Sequence, residues 1–252
     1  MSTTQSFVHA GMLLLGLLTI PSAQADAGAG SQWGLGATVG LDRKPYRNFD
    51  DKAQALPLVF YEGRWLRVAG PALDLKLAVS DAITVGPRLR YAGDGYEADD
   101  SSFLQGMAER KASFWLGGFA QWRTGWATLS VEALGDASRE SKGGRFSLGV
   151  ERGFAAGDFE LTPRLVVHRV DRRFVDYYYG VRAEEATAFR PAHAGQSATN
   201  LEAGLRIGYA LAPRHRLSLD LSTTRLGSGI KDSPLVERSR QDGARVSYLY
   251  LF

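Results

Sequence analysis

DGARVSYLYLF, residues 242–252, ends the chain. Read as an extended strand, it puts Val246, Tyr248, Tyr250 and Phe252 on one face and Arg245, Ser247, Leu249 and Leu251 on the other, because successive side chains of a strand point to opposite sides. The last residues of a soluble domain usually fray, yet here an apolar face runs out to the final residue. An apolar environment has to receive it, and the rest of the sequence indicates which one.

The same two-residue period recurs along the chain. Trp33, Leu35, Ala37, Val39 and Leu41 alternate with Gly34, Gly36, Thr38 and Gly40. Leu73, Leu75, Leu77 and Val79 alternate with Asp74, Lys76 and Ala78. Leu201 to Tyr209 and Leu217 to Leu221 repeat the pattern with Glu202, Arg206, Arg216 and Asp220 between. Twelve strands are predicted, at 33–41, 55–61, 64–69, 72–79, 83–91, 112–122, 126–134, 144–152, 159–170, 198–210, 215–224 and 243–252. Alternation alone fits a soluble sandwich with its apolar faces inward equally well, but several strands reach the about 9–11 residues that cross a bilayer when tilted, whereas soluble strands average about 5–6. Connections alternate between short turns (62–63, 80–82, 123–125, 153–158, 211–214) and long polar loops (42–54, 92–111, 135–143, 171–197, 225–242), with only Gly70-Pro71 short where a long loop is due. An even strand count with short periplasmic turns and long outer loops defines the bacterial outer-membrane barrel. The fold expected is therefore all-β, a transmembrane antiparallel β-barrel of twelve strands. Phe252, Tyr250 and Tyr248 then face lipid near the periplasmic side and are expected to serve as the signal recognised in assembly. Pro87 and Pro163 fall inside predicted strands, where each removes a ladder donor and suggests a bulge. In 112–122, Phe114, Leu116 and Trp122 oppose Trp115 and Phe119, and either face suits lipid.

Composition agrees. Among 252 residues there are 29 Gly and 10 Tyr, which favour strands and turns. With no Cys, neither a disulfide nor a Cys-ligated metal is available. The net charge of +3 is spread in mixed sign, with no block that tracks nucleic acid. GMLLLGLLTI (11–20) is an apolar run too short to span a membrane as a helix, and PSAQA after it carries Ala23 and Ala25 in the arrangement cut by signal peptidase. Residues 1–25 are expected to be a signal peptide cleaved after Ala25, and 26–252 a barrel in the cell outer membrane, although residues 1–10 lack Lys and Arg.

Several segments carry a further likeness: ALPLVFYEG (55–63), VGPRLRYAGDGYEADDSSFLQGMAER (85–110), DYYYGVRAEEA (176–186) with FRPAH (189–193), GSGIKDSPLVER (227–238) and the final SYLYLF. In their order and spacing the chain resembles the MipA/OmpV family, named for an MltA-interacting protein, over essentially all of 26–252. The resemblance implies an outer-membrane β-barrel. It further implies a scaffold that binds a murein lytic transglycosylase and a murein synthase. Porin-like, adhesive and stress-responsive roles are also attached to the family, so it fixes place better than activity.

No residue pattern assembles a catalytic, cofactor or metal site. His168 shares a strand face with Glu160 and Arg164, and no serine is paired with it by sequence; a hydrolase would need one. His193 and His215 lack metal-ligand spacing. Asp94, Glu97, Asp99 and Asp100 suit either a solvated loop or a divalent cation bridging lipopolysaccharide phosphates. Tyr177, Tyr178 and Tyr179 suit glycan stacking, an aromatic girdle or a packed loop. The polar strand faces are more informative: Asp74, Lys76, Arg88, Arg90, Glu160, Arg164, Glu202 and Arg206 are all expected in the lumen, with Glu132, Arg145, Glu151, Arg216 and Asp220 beside them. Charges of both signs there should pair, since an unpaired one is costly, and loops 92–111 and 171–197 are placed to fold in and occlude the barrel. Arg152, Arg214 and Arg216 fall near the periplasmic rim, where they either meet an acidic partner or stand at the water boundary. Two functions follow: a non-enzymatic scaffold for murein enzymes, and a small-solute channel. Outer-membrane lipid or lipopolysaccharide surrounds the barrel in both.

Overall fold

The computed structural model describes residues 31–51 and 53–252, so the proposed signal segment lies outside the described residues. Fourteen strand segments form one antiparallel sheet that closes on itself. They are β1 (Gln32–Asp42), β2 (Gln54–Glu62), β3 (Leu66–Ala69), β4 (Ala72–Leu75), β5 (Ala78–Val79), β6 (Ile83–Ala92), β7 (Ser113–Arg123), β8 (Thr128–Asp136), β9 (Gly144–Glu151), β10 (Phe154–Ala156), β11 (Phe159–Val170), β12 (Ala198–Ala212), β13 (His215–Arg225) and β14 (Arg240–Leu251). Segments β4 and β5 lie end to end along β6, and β9 and β10 lie end to end along β11. The barrel therefore has twelve staves, as the alternating sequence predicts. The terminal strands β1 and β14 pair from Gly34↔Leu251 to Asp42↔Gly243, which removes the sheet edge.

The prolines sit where the wall is interrupted, rather than at bulges. Register runs unbroken through Pro87↔Gly118 and Pro163↔Leu205, and the one shift in β12 lies at Ala210/Ala212. The carbonyl of Pro163 accepts from Arg152 N–H, so its missing donor faces the gap between β9 and β10. Val85, two residues before Pro87, receives Leu77 N–H, so Pro87 faces the gap between β4 and β5. Pro57 likewise points past the β3–β4 tip, since Val59 of the same parity meets Gly70 there. In each case no ladder partner is wasted.

Alternation sets the faces. Trp33, Leu35, Val39, Leu165, Leu201 and Val246 are exposed on the outside, and arginines, carboxylates and glycines point in. Glycine lets the wall curve: a Cβ on Gly36 would fall 1.9 Å from the Tyr248 carbonyl oxygen, and one on Gly86 1.8 Å from that of Leu75. On β7 the inward side chains are Trp115 (0% exposed) and Phe119 (5%), while Phe114, Leu116 and Trp122 meet lipid. A small apolar lining of Leu58, Phe60, Leu249 and Leu251 occupies the periplasmic end of the lumen.

Candidate functional site

The outer mouth is closed by its own loops. The long connections read as polar in sequence, yet they meet in one apolar cluster that includes Tyr46, Leu104, Trp115, Phe174, Tyr178 and Ile230. The loop after β11 forms helix α1 (Arg172–Tyr179), capped by Asp171, whose carboxylate accepts from Phe174 N–H at 2.9 Å. That helix buries Phe174, Val175, Tyr178 and Tyr179 on one side. Tyr178 and Tyr179 are thus loop-packing residues, and burial pushes both hydroxyls well above their ordinary pKa. Tyr177 is half-buried, donates from its hydroxyl toward Glu140 and accepts from Lys111 N–H. Helix α2 (Ser228–Lys231) adds Ile230 from the loop after β13.

Polar contacts latch the loops together. Arg110 donates to both carboxylate oxygens of Glu185, at 2.9 and 2.8 Å, and to the carbonyls of Tyr177 and Ala108. Glu185 also accepts from the N–H groups of Ala108 and Arg182, at 3.0 Å each. Burial opposes its charge, but these donors outweigh it and hold its carboxyl below the usual range. Burial also raises the Tyr96 hydroxyl, to about 12. The acidic run 94–100 does not gather as a cation site. Asp94 is buried against Arg145, while Asp100 accepts from Glu97 N–H to cap a short 3₁₀ turn.

Below the plug the lumenal charges form two hubs. Arg88 grips Asp74 with two bonds of 2.6 and 2.7 Å and reaches Glu132 at 2.7 Å, where Arg90 joins at 2.8 Å. Arg164 bridges Glu202 at 2.9 Å and Asp220 at 2.8 Å, and Arg206 meets Asp220 at 3.3 Å. Lys76 pairs with Glu62. Glu160, half-buried, sits below the second hub near Gly153. Between the hubs lies a cavity of about 70 Å3, partly open to solvent, bordered by Arg90, Phe119, Gln121, Ser147, His168 and Glu202 among others. Arg90 Nε and Gln121 Nε2 are buried donors without a protein acceptor among the described residues.

The register also makes a contact that sequence reading missed. Ser147 stands directly opposite His168, with Oγ 2.9 Å from Nδ1, and Glu202 lies 3.2 Å from Nε2. A serine, an imidazole and a carboxylate in line are the parts of a nucleophilic relay. Here Glu202 is already shared with Arg164, and Ser147 lies in a strand paired on both sides, so its ladder N–H groups are not free to form an oxyanion hole. The arrangement acts as a cross-strand polar clamp. Only pairing register could have revealed it.

At the periplasmic end, Phe252 stacks on Trp33 with ring centroids 3.9 Å apart and donates its N–H to the Trp33 carbonyl. Tyr250 meets Phe252 edge-on, and the Tyr248 hydroxyl lies 2.6 Å from His215 Nδ1. The rim arginines do not converge. Arg152 lies over the Phe154 ring, and Arg216 folds back onto the carbonyls of Ala212 and His215. Arg214 is exposed in its turn, its carbonyl holding Leu251 N–H.

The chain is similar to known proteins. The MltA-interacting protein MipA family matches residues 34–252. Outer membrane protein Omp26La of Vibrio anguillarum is 31% identical over 170 residues, spanning 67% of this chain and 66% of the relative, just under two thirds of its length. The MltA-interacting protein of Escherichia coli (strain K12) is 26% identical over 238 residues, 90% of this chain and 93% of that protein. Among solved structures, an outer membrane channel from Pseudomonas putida F1 aligns with a TM-score of 0.46 at 12% identity, covering 92% of this chain and 99% of that one. With its closed twelve-stave wall and outward apolar faces, the chain is an outer-membrane β-barrel, and it belongs to the MltA-interacting protein MipA family.

Proposed function

We propose that this barrel is a non-enzymatic scaffold that engages murein-processing enzymes, a lytic transglycosylase first among them, from the periplasmic side. The observation that carries the reading is the plug. Loops packed through Leu104, Tyr178 and Ile230 seal the outer mouth, and a sealed lumen suits a binding protein better than an open pore. The name of the Escherichia coli relative, MltA-interacting protein, supports the class of partner. A periplasmic partner reaches the short turns, the rim, where Arg152 and Arg214 are exposed, and the N-terminal lead from Asp26. That area is small, so a transient complex at the low end of interface size is expected. The test is capture of a purified lytic transglycosylase by the folded barrel, with Arg152→Glu/Arg214→Glu as the variant. Weakened capture by the variant places the partner on the rim. Unchanged capture removes that surface, and no capture by the unaltered barrel removes the scaffold reading.

A second reading, a small-solute channel, is favoured by the lumenal cavity with its two free donors, Arg90 Nε and Gln121 Nε2. It requires the plug to open. Planar bilayers separate the two: steady porin-like current supports the channel, and small or rare events support the sealed scaffold.

A further inference from the structure

Arginines inside the lumen face carboxylates: Arg88, Arg90, Arg164, Arg206 and Arg245 each have one within ion-pair distance. Three on the lipid-facing side of neighbouring strands have none among the described residues. Arg225 and Arg240 stand directly opposite each other on β13 and β14, both exposed, on the face that carries Leu217, Leu221, Val246 and Tyr248 toward lipid. Arg169, on the lipid face of β11, donates only to the hydroxyls of Thr199 and Ser197. Asp242 shares the face, yet among the described residues it forms no ion pair with any of the three. Like charges facing across an antiparallel pair are destabilising, so this arrangement calls for a counter-ion from outside the chain.

Height identifies where that counter-ion would come from. Ten residues separate Tyr250 from Arg240, His215 from Arg225 and Phe159 from Arg169. Those lower residues belong to the periplasmic aromatic row, where Tyr250 meets Phe252 and Phe159 meets Tyr209. At about 3.3 Å per residue and a tilt of about 40°, ten residues climb about 25 Å. That is the height of the apolar band, so the guanidiniums stand where the outer-leaflet headgroups begin. Arg225 and Arg240 have Cα atoms about 4.5–5.5 Å apart, and Arg169, paired with Thr199 where Arg225 is paired with Leu201, lies about 12 Å from Arg225 across β12. Arg225 and Arg240 are close enough to share one phosphate, Arg169 stands beside them on the same face, and the planar donor fork of arginine matches phosphate oxygens. Across the barrel, the corresponding belt is aromatic instead, with Tyr91 and Phe114 rings 5.1 Å apart. We propose that Arg225 and Arg240, assisted by Arg169, form a site for the phosphate groups of lipopolysaccharide in the outer leaflet.

The test uses the full-length folded barrel in detergent, with binding of diphosphoryl lipid A followed by native mass spectrometry. The expected result is retention of lipid A by the wild type and at least a tenfold loss of affinity in Arg225→Gln/Arg240→Gln. Arg225→Lys/Arg240→Lys should keep most of the binding, which excludes misfolding, and heat-modifiable migration on gels checks closure of each variant. Dephosphorylated lipid A should bind no better to wild type than to the Gln variant. Equal retention by wild type and the Gln variant, or equal competition by phosphatidylglycerol or by millimolar inorganic phosphate, would overturn the assignment.

Discussion

The ion pair Arg110–Glu185 joins the loop after β6 to the loop after β11, and its removal should loosen the plug. Glu185→Ala deletes a carboxylate that accepts from Arg110 Nη2 at both oxygens and from the N–H groups of Ala108 and Arg182. The Arg110 guanidinium is left buried with the Tyr177 and Ala108 carbonyls as its hydrogen-bond acceptors and the Tyr96 and Tyr177 rings beside it. Breaking a buried pair by removing one partner costs about 3–5 kcal/mol, and the low end applies because those two carbonyls remain. About 3 kcal/mol corresponds to an increase on the order of a hundredfold in the open population. Protease cleavage within 93–112 reports that population when opening is fast relative to cutting. The cleavage rate should rise accordingly, and Arg110→Ala/Glu185→Ala should be milder than Glu185→Ala, since no charge is then orphaned. The same pair sets a pH response. Glu185 has its pKa lowered in the closed plug, so its contribution is present above the ordinary glutamate pKa of about 4.3. It is lost as pH falls through the depressed value. Plug opening should therefore increase on acidification below about pH 4, and Glu185→Ala should flatten that response. A cleavage rate in Glu185→Ala within about twofold of wild type, a change typical of neutral surface substitutions, would refute the latch.

Deleting Phe252 should reduce the yield of heat-modifiable barrel far more than the loss of one buried phenylalanine, about 1.5–3 kcal/mol, explains; assembly at wild-type level would remove its role as an assembly signal. Arg164→Ala leaves Glu202 and Asp220 without their shared cation and should lower stability by about 3–5 kcal/mol, read from urea midpoints of the folded barrel; an unchanged midpoint would show the hub to be unimportant. Gly86→Ala places a Cβ 1.8 Å from the Leu75 carbonyl oxygen and should depress folding yield, whereas Gly135→Ala, where nothing lies within 4 Å, should not.

Much of the barrel was legible because strand length and the alternation of short and long connections decided between a soluble sandwich and a membrane barrel. Leu201, Ala203, Leu205, Ile207 and Tyr209 had to share a face, and register then placed Glu202 and Arg206 inside. The wall between β3 and β6 was legible only in part. Residues 72–79 read as one strand, but the ladder breaks between Leu75 and Ala78, and the proline that accommodates the break sits on the neighbouring strand. A proline inside a strand was visible in sequence, but the gap it faces belongs to another stave. The same limit hid the pairing of Ser147 with His168. Both residues were visible, but their contact depends on the offset between β9 and β11.

The loops were hardest to read because their composition is polar while their packing is not. Tyr46, Leu104, Tyr178 and Ile230 come from four different loops, so no single segment shows periodicity or a continuous apolar run. The closed barrel brings the four loops together at one mouth. Trp115 and Phe119 belong to the same argument. A tryptophan pointing into a polar lumen looks misplaced on β7 alone, which is why both faces of 112–122 suited lipid. In the folded chain Trp115 packs against Phe174 of the plug helix, and Arg145 lies over its ring. Phe119 lies under the Arg88 guanidinium, 4.6 Å away, at the wall of the cavity. The inward aromatics of β7 thus mark where the charged lumen gives way to the apolar plug. A side chain that joins those two environments has no lipid-facing alternative once the loops have folded in.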